Sequence, residues 1–208
     1  MRRKTFDLIL TCIGAGVTVM LLAAGGLLMW GYSFAQSNVH DQLAMQQIYF
    51  PTAAQMAQAK VGTEITPAML PYIKQYAGQE VLTGSQAEAY ANHFIAVHLS
   101  AMPYGGVYSK ASGAAMALTP GTPAYTAAQN TVNTIFKGTT LRGLLLEAYA
   151  FWKFGQIALI GAIVSFVLAG LMAVLTVIGF FHWRRTPEEQ EFPKHHEEQR
   201  ADKDLATV

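Results

Sequence analysis

Between residues 31 and 152 the side chains able to act as bases or metal ligands are His40, His93, His98, Asp41, Glu64, Glu80, Glu88 and Glu147. Catalysis would need a nucleophile beside a base, paired carboxylates or a ligand cluster. His93 and His98 stand five residues apart, which on a 3.6-residue helix separates them by about 140° and makes a poor chelating pair. His98 shares a face with Ala91, Ile95 and Met102 and reads as a packed histidine, whereas His93 falls with Ala89 and Ser100 on the wetter side. No H-E-x-x-H, C-x-x-C-H, G-x-S-x-G or phosphate-binding glycine loop occurs. Met45, Met56, Met69, Met102 and Met116 raise the thought of copper, but their spacing has no repeat, and methionine as core filler accounts for them. His195-His196-Glu197-Glu198 reads as a solvated charge run and Cys12 as a small apolar helix residue. The expectation is a chain without catalytic residues, metal ligands or cofactor.

The composition points the same way. Of the 208 residues 52% are hydrophobic and 13% charged, with net charge +1 and one cysteine. Soluble domains carry about 25% charged residues. Near-neutral charge excludes a nucleic-acid binder, which needs many uncompensated cations. A single cysteine excludes a disulfide scaffold and any four-cysteine metal site. What remains is a membrane protein.

Two runs are long enough to cross a bilayer. Residues 8–30 contain no charge and would make about 34 Å of helix against a hydrocarbon core of about 30 Å. Residues 154–181 are also uncharged, about 42 Å of helix, so this span must tilt or project. Arg2, Arg3 and Lys4 before the first run resemble a signal-peptide n-region, and Ser33-Phe34-Ala35 a cleavage site. The apolar run exceeds the roughly 7–15 residues of an h-region, so a retained anchor is expected. The positive-inside bias, with Arg184 and Arg185 after the second run, places both termini in the cytoplasm. The expected organisation is a cytoplasmic N-terminus (1–7), transmembrane helix 1 (8–30), a helical extracytoplasmic domain (31–152), transmembrane helix 2 (153–183) and a charged cytoplasmic tail (184–208). Trp30, Tyr32, Tyr149 and Trp152 would sit at one membrane interface and Trp183 at the other.

Within 31–152 the signals are helical. Ser37 is expected to cap a helix through Tyr49, ending before Pro51, and Thr66-Pro67 to open one stopped by Gly78. Ser85-Gln-Ala-Glu88 reads as a capping box for a helix to about Met102, and 103–120 as a Gly- and Ser-rich loop. Thr122-Pro123 should start a helix ended by Lys137-Gly138, after which Thr139 or Thr140 caps a helix running into the second span. The fold class is all-α.

Two features bear on partners. Residues 31–152 hold ten charged side chains, about 8% against the usual 25%; a surface covered by another subunit or by lipid does not need more, and an Ala-, Gln- and Thr-rich polar surface explains the scarcity equally well. On the second span Gly155, Ala158, Ala162, Ser165, Ala169, Ala173 and Thr176 follow one another by three or four residues, a helix-packing face that lets backbones approach closely, most simply for the chain's own first span. Gly14, Thr18 and Gly25 suggest a shorter stripe there. Neither span carries an interior charge, against a transporter or proton relay. Arg142, Glu147 and Lys153 flank the second span and are read as fixing its depth.

Gln46-Gln-Ile-Tyr-Phe-Pro51, Tyr90-Ala-Asn-His-Phe-Ile-Ala-Val-His-Leu99 and Leu141-Arg-Gly-Leu-Leu-Leu-Glu-Ala-Tyr-Ala-Phe-Trp152, running into Gly155-Gln-Ile-Ala158, resemble a family of bacterial, largely actinobacterial, two-span membrane proteins. The resemblance covers most of residues 5–185. Some members are labelled aromatic-ring-opening dioxygenase-like, but no iron triad of two His and one carboxylate stands at a recognisable spacing here, so that activity is not carried over. The resemblance implies the architecture alone.

The functional expectation is a non-catalytic accessory subunit of a larger bacterial membrane complex, respiratory or otherwise energy-converting. Its partners would be other membrane protein subunits and the lipid bilayer, not nucleic acid. The alternative is a free-standing membrane-anchored sensor or small-ligand-binding protein with an apolar pocket lined by Tyr72, Tyr76 and Phe94. A metal- or haem-dependent redox enzyme stands third.

Overall fold

A computed structural model describes residues 3–187. Seven α-helices follow one another among these residues. They are α1 (Arg3–Ala44), α2 (Ala53–Ala57), α3 (Leu70–Ile73), α4 (Gly84–Tyr90), α5 (Ala96–Ala101), α6 (Tyr108–Met116) and α7 (Pro123–Arg185). Tighter turns cover Lys74–Tyr76 and Pro103–Gly106, and a π-turn over Ala91–Ile95 joins α4 to α5. No strand occurs among the described residues; one antiparallel bridge pairs Tyr49 with Glu80. The protein is all-α, and α1 and α7 are long and apolar enough to cross a membrane, by length and composition.

Several element boundaries differ from those expected. Helix α1 does not restart at Ser37, whose hydroxyl donates to the Ser33 carbonyl at 2.9 Å instead of capping an N-terminus. It ends at Ala44, five residues before Tyr49, in a tight turn where Gln46 N–H donates to the Leu43 carbonyl at 2.9 Å and Gln47 adopts a left-handed φ of 51°. The chain then pairs with 79–81, where Phe50 N–H donates to the Gln79 carbonyl at 2.9 Å and Val81 N–H to that of Ile48 at 2.8 Å. Thr66 caps no helix; its hydroxyl is buried without a partner, and α3 starts at Leu70 with proline in its first turn. Gly78, at φ 70°, does end that segment. The capping box lies two residues before Ser85: Gln86 N–H donates to the Thr83 hydroxyl at 3.3 Å, and Thr83 N–H to the Gln86 side chain at 3.0 Å.

The expected loop over 103–120 contains α6. Thr122 caps α7, accepting from Tyr125 N–H at 3.1 Å, but that helix does not stop at Gly138, and Thr139 and Thr140 are interior to it. Gly138 is where Leu99 packs: a Cβ there would stand 2.8 Å from Leu99 Cδ2. The close approach, not a helix end, explains the glycine.

The chain divides into two compact units. One comprises Met29–Leu159; the other takes in the segments before Met29 and after Leu159, described over 3–28 and 160–187. The core of the first gathers Val39 and Leu43 from α1, Phe50, Met56, Ile65, Met69, Ile73, Val81, Ala87, Ala89 and Ala91, with Leu145 from α7. Burying each large member removes apolar surface worth about 1.5–3 kcal/mol. A smaller cluster pairs Ala111 and Ala115 of α6 with Val132 and Ile135 of α7. In the second unit the two long helices touch through small residues. A Cβ on Gly14 would stand 2.7 Å from Thr176 Oγ1, and one on Gly25 2.8 Å from the Phe166 ring. Ala162 and Ala169 are buried, while Ser165, Ala173 and Thr176 are half-buried.

Candidate functional site

The π-turn organises the polar chemistry of the larger unit. Its widened hydrogen bond, Ala96 N–H to the Ala91 carbonyl, inserts one residue into an otherwise helical run from Gly84 to Ala101, a local arrangement that in other proteins often marks functional positions. Asn92, in this turn, accepts from Arg142 Nη2 at 2.8 Å and donates to Glu88 Oε1 at 2.8 Å. The three residues form a relay from α4 to α7. Its Nε is buried and meets no hydrogen-bond partner.

His93 occupies the next position. Its ring lies on Tyr72 with centroids 3.5 Å apart and planes within 4°, so it is half-covered rather than on a wet face. Ala89, one helical turn earlier on the same face, is itself buried in the core, so that face is covered and not wet. His98 is half-buried, its Nδ1 2.8 Å from the Phe94 carbonyl and its ring 4.6 Å from that of Phe94. A continuous row of rings leads away from it: Phe94 to Tyr90 at 4.7 Å, Tyr90 to Phe50 at 5.3 Å, Phe50 to Tyr76 at 5.1 Å. Tyr76 and Phe94 pack on the core and Tyr72 on His93. Phe94, Tyr90, Phe50 and Tyr76 thus stack on one another, while Tyr72 stays exposed beside His93.

Two phenols are perturbed. Tyr90 is held above its ordinary pKa of 10.0, first because burial strips hydration from the phenolate and second because Glu64 repels it. Tyr49 is also raised, chiefly by the charge of Glu80, then by partial burial and by its hydrogen bond to Glu80; it is exposed, so the effect has little bearing on stability. Among the described residues no group of three or more His, Cys, Asp or Glu converges closely enough to hold a metal. His40 contacts its neighbour Asp41, at 3.2 Å. Met56 and Met69 belong to the core, and Met45 and Met116 are exposed. His195, His196, Glu197 and Glu198 lie outside the described residues.

A groove of about 340 Å³ lies between the end of α1 and the middle of α7 in this unit. Val39, Leu43, Leu144, Leu145 and Phe151 make its walls, and Asn38, Gln42, Gln46 and Glu147 its polar rim. Phe34, Phe136 and Leu141, from the same two helices, are also exposed. Sequence reasoning missed this surface because its residues come from helices about a hundred positions apart. Glu147 belongs to the rim, and Lys153 rides over the Trp152 ring at 6.0 Å. Trp152 itself is half-buried, packed against the core and over Gly84, where any Cβ would collide with it. Of the small-residue stripe, Gly155 is buried against Ala35 and Ala158 is half-buried in this unit; the other five belong to the second unit.

No protein-family model matches this chain, and neither a curated protein nor a solved structure does.

Proposed function

We propose that the chain is an integral membrane protein with spans at 8–30 and 153–183, both termini cytoplasmic and residues 31–152 extracytoplasmic. In this reading it serves as a non-catalytic accessory subunit of a larger bacterial membrane complex. The apolar windows of α1 and α7 have mean hydropathies of 2.2 and 2.7 and are only 11% buried, which suits a lipid environment. The resemblance to bacterial two-span membrane proteins belongs to the same proposal, as does a respiratory or other energy-converting assembly as the host.

The observation that carries the subunit reading is the apolar groove together with Phe136, Leu141, Leu144 and Phe151, all exposed on a domain with ten charges in 122 residues. An apolar patch rimmed by polar groups on a water-facing domain marks an interaction surface. We assign it to a partner subunit's extramembrane face. A photo-crosslinking residue at Leu144 should capture a discrete membrane-protein partner in living cells, while the same residue at the exposed Val61 should not. No capture at Leu144, with the protein present in membranes, contradicts the assignment and favours a free-standing ligand-binding protein using the same groove.

A further inference from the structure

A second groove, of about 520 Å³, runs along the unit formed by residues 3–28 and 160–187 and falls in the range of roughly 300–1,000 Å³ typical of ligand sites. Leu10, Ile13, Leu175 and Ile178 wall it, and Gly14 and Gly179 leave its floor without side chains. Apart from Thr11, whose hydroxyl donates to the Asp7 carbonyl at 2.8 Å, its lining is polar at two levels. At the end nearer the chain termini stand Asp7 and His182, with Asp7 Oδ2 3.7 Å from His182 Nε2 and accepting from the Thr186 hydroxyl at 3.1 Å. The Asp7 side chain is only 15% exposed. Further in, about 10 Å along the helix from His182, Thr176 lines the same groove; its hydroxyl is buried and, unlike those of Thr11 and Thr18, makes no bond to its own helix.

We propose that this groove holds one phospholipid with a primary-ammonium headgroup, that is, phosphoethanolamine chemistry; the proposal rests on the membrane reading above. The ammonium donates to the Asp7 carboxylate, and the phosphate lies toward the positive charge of Arg185 in the last turn of α7. The Thr176 hydroxyl donates to an acyl-ester carbonyl, and the chain lies over Leu10, Ile13, Leu175 and Ile178. The spacing between the two polar levels is that between the amine and the ester carbonyl of an extended lipid of this kind. A carboxylate in a segment otherwise flanked by Arg2, Arg3 and Lys4 has no part in topology, since acids contribute little to orientation. Beside a lipid ammonium it has a complementary charge.

The full chain, extracted in mild detergent, should be titrated with phosphatidylethanolamine, phosphatidylcholine and phosphatidylglycerol and the retained adducts counted by native mass spectrometry. The expected result is one retained phosphatidylethanolamine, preferred about tenfold over phosphatidylcholine, whose quaternary ammonium has no N–H to donate. Asp7→Asn should abolish the preference. Thr176→Val, which keeps the shape and removes the hydroxyl, should weaken retention even if the Asp7 variant fails to fold. Equal retention of the three lipids, a preference for phosphatidylglycerol, or retention unchanged in Thr176→Val overturns the site. Alkaline carbonate extraction of the same membranes separates the two claims: protein washed off defeats the membrane reading, and protein retained without lipid preference defeats only the lipid site.

Discussion

Arg142 directs its guanidinium to Asn92, which in turn holds Glu88. A hydrogen bond to a charged group contributes more than a neutral one, and leaving a buried donor unpaired costs about 1–3 kcal/mol. Asn92→Ala should destabilise the detergent-solubilised protein by an amount in that range, read as a lowered thermal midpoint; an unchanged midpoint would mean the relay carries no stability. Tyr90 gives a pH dependence of defined sign. Its folded-state pKa lies above the ordinary 10.0, so its contribution to stability is intact below about pH 10 and changes only as pH climbs from there through the raised value, where the unfolded chain ionises first and the fold is penalised. Tyr90→Phe should therefore lose stability less steeply than wild type above pH 10, read as melting temperature against pH; equal slopes would show that the phenol is not held neutral by the fold. At this scale the sequence was only partly legible. A packed environment for His98 could be read from its helix face, but the His93–Tyr72 stack and the Arg142 relay join residues 21 and 50 positions apart, and no local pattern announces such pairs.

Helix ends were the least legible elements, and for identifiable reasons. Ser37, Gly138 and Thr139 look like boundary residues, yet such residues are tolerated inside a helix when a side chain bonds back to the backbone or when a neighbour needs the space. At 83–88 two overlapping capping boxes compete, and the one chosen leaves Gln86 free to bond Gln79 as well, at 3.1 Å. Thr83→Ala should cost about 1 kcal/mol, and Ser85→Ala much less; the reverse order in chemical denaturation would move the cap back to Ser85. The glycines sort by the same logic. Gly84 lies under Trp152 and Gly143 faces open space. Gly84→Ala should destabilise by about 1–3 kcal/mol through overpacking, whereas Gly143→Ala, within α7, should stabilise by about 0.5–1 kcal/mol. Equal effects on the melting temperature would mean that Trp152 does not lie over Gly84. The two long helices, by contrast, were readable outright, because uninterrupted apolar length is a property of the sequence alone.

For the molecule as a whole, helical class and the two long apolar helices follow from composition and periodicity, while the groove proposed as a partner surface does not. The groove beside Leu144 is assembled from α1 and α7, and its exposure sets an unusual load of apolar surface on a domain with few charges. Such a surface favours association with whatever can cover it, and the subunit reading supplies the cover. The most direct measurement is extraction of native membranes in mild detergent with the C-terminus tagged, followed by a native gel and mass spectrometry of the band. The account predicts a band well above the 22.6 kDa chain mass, with membrane-protein companions in fixed stoichiometry that are lost when Leu144 is changed to Lys. A band of monomer or dimer size, unaltered by Leu144→Lys, would contradict it.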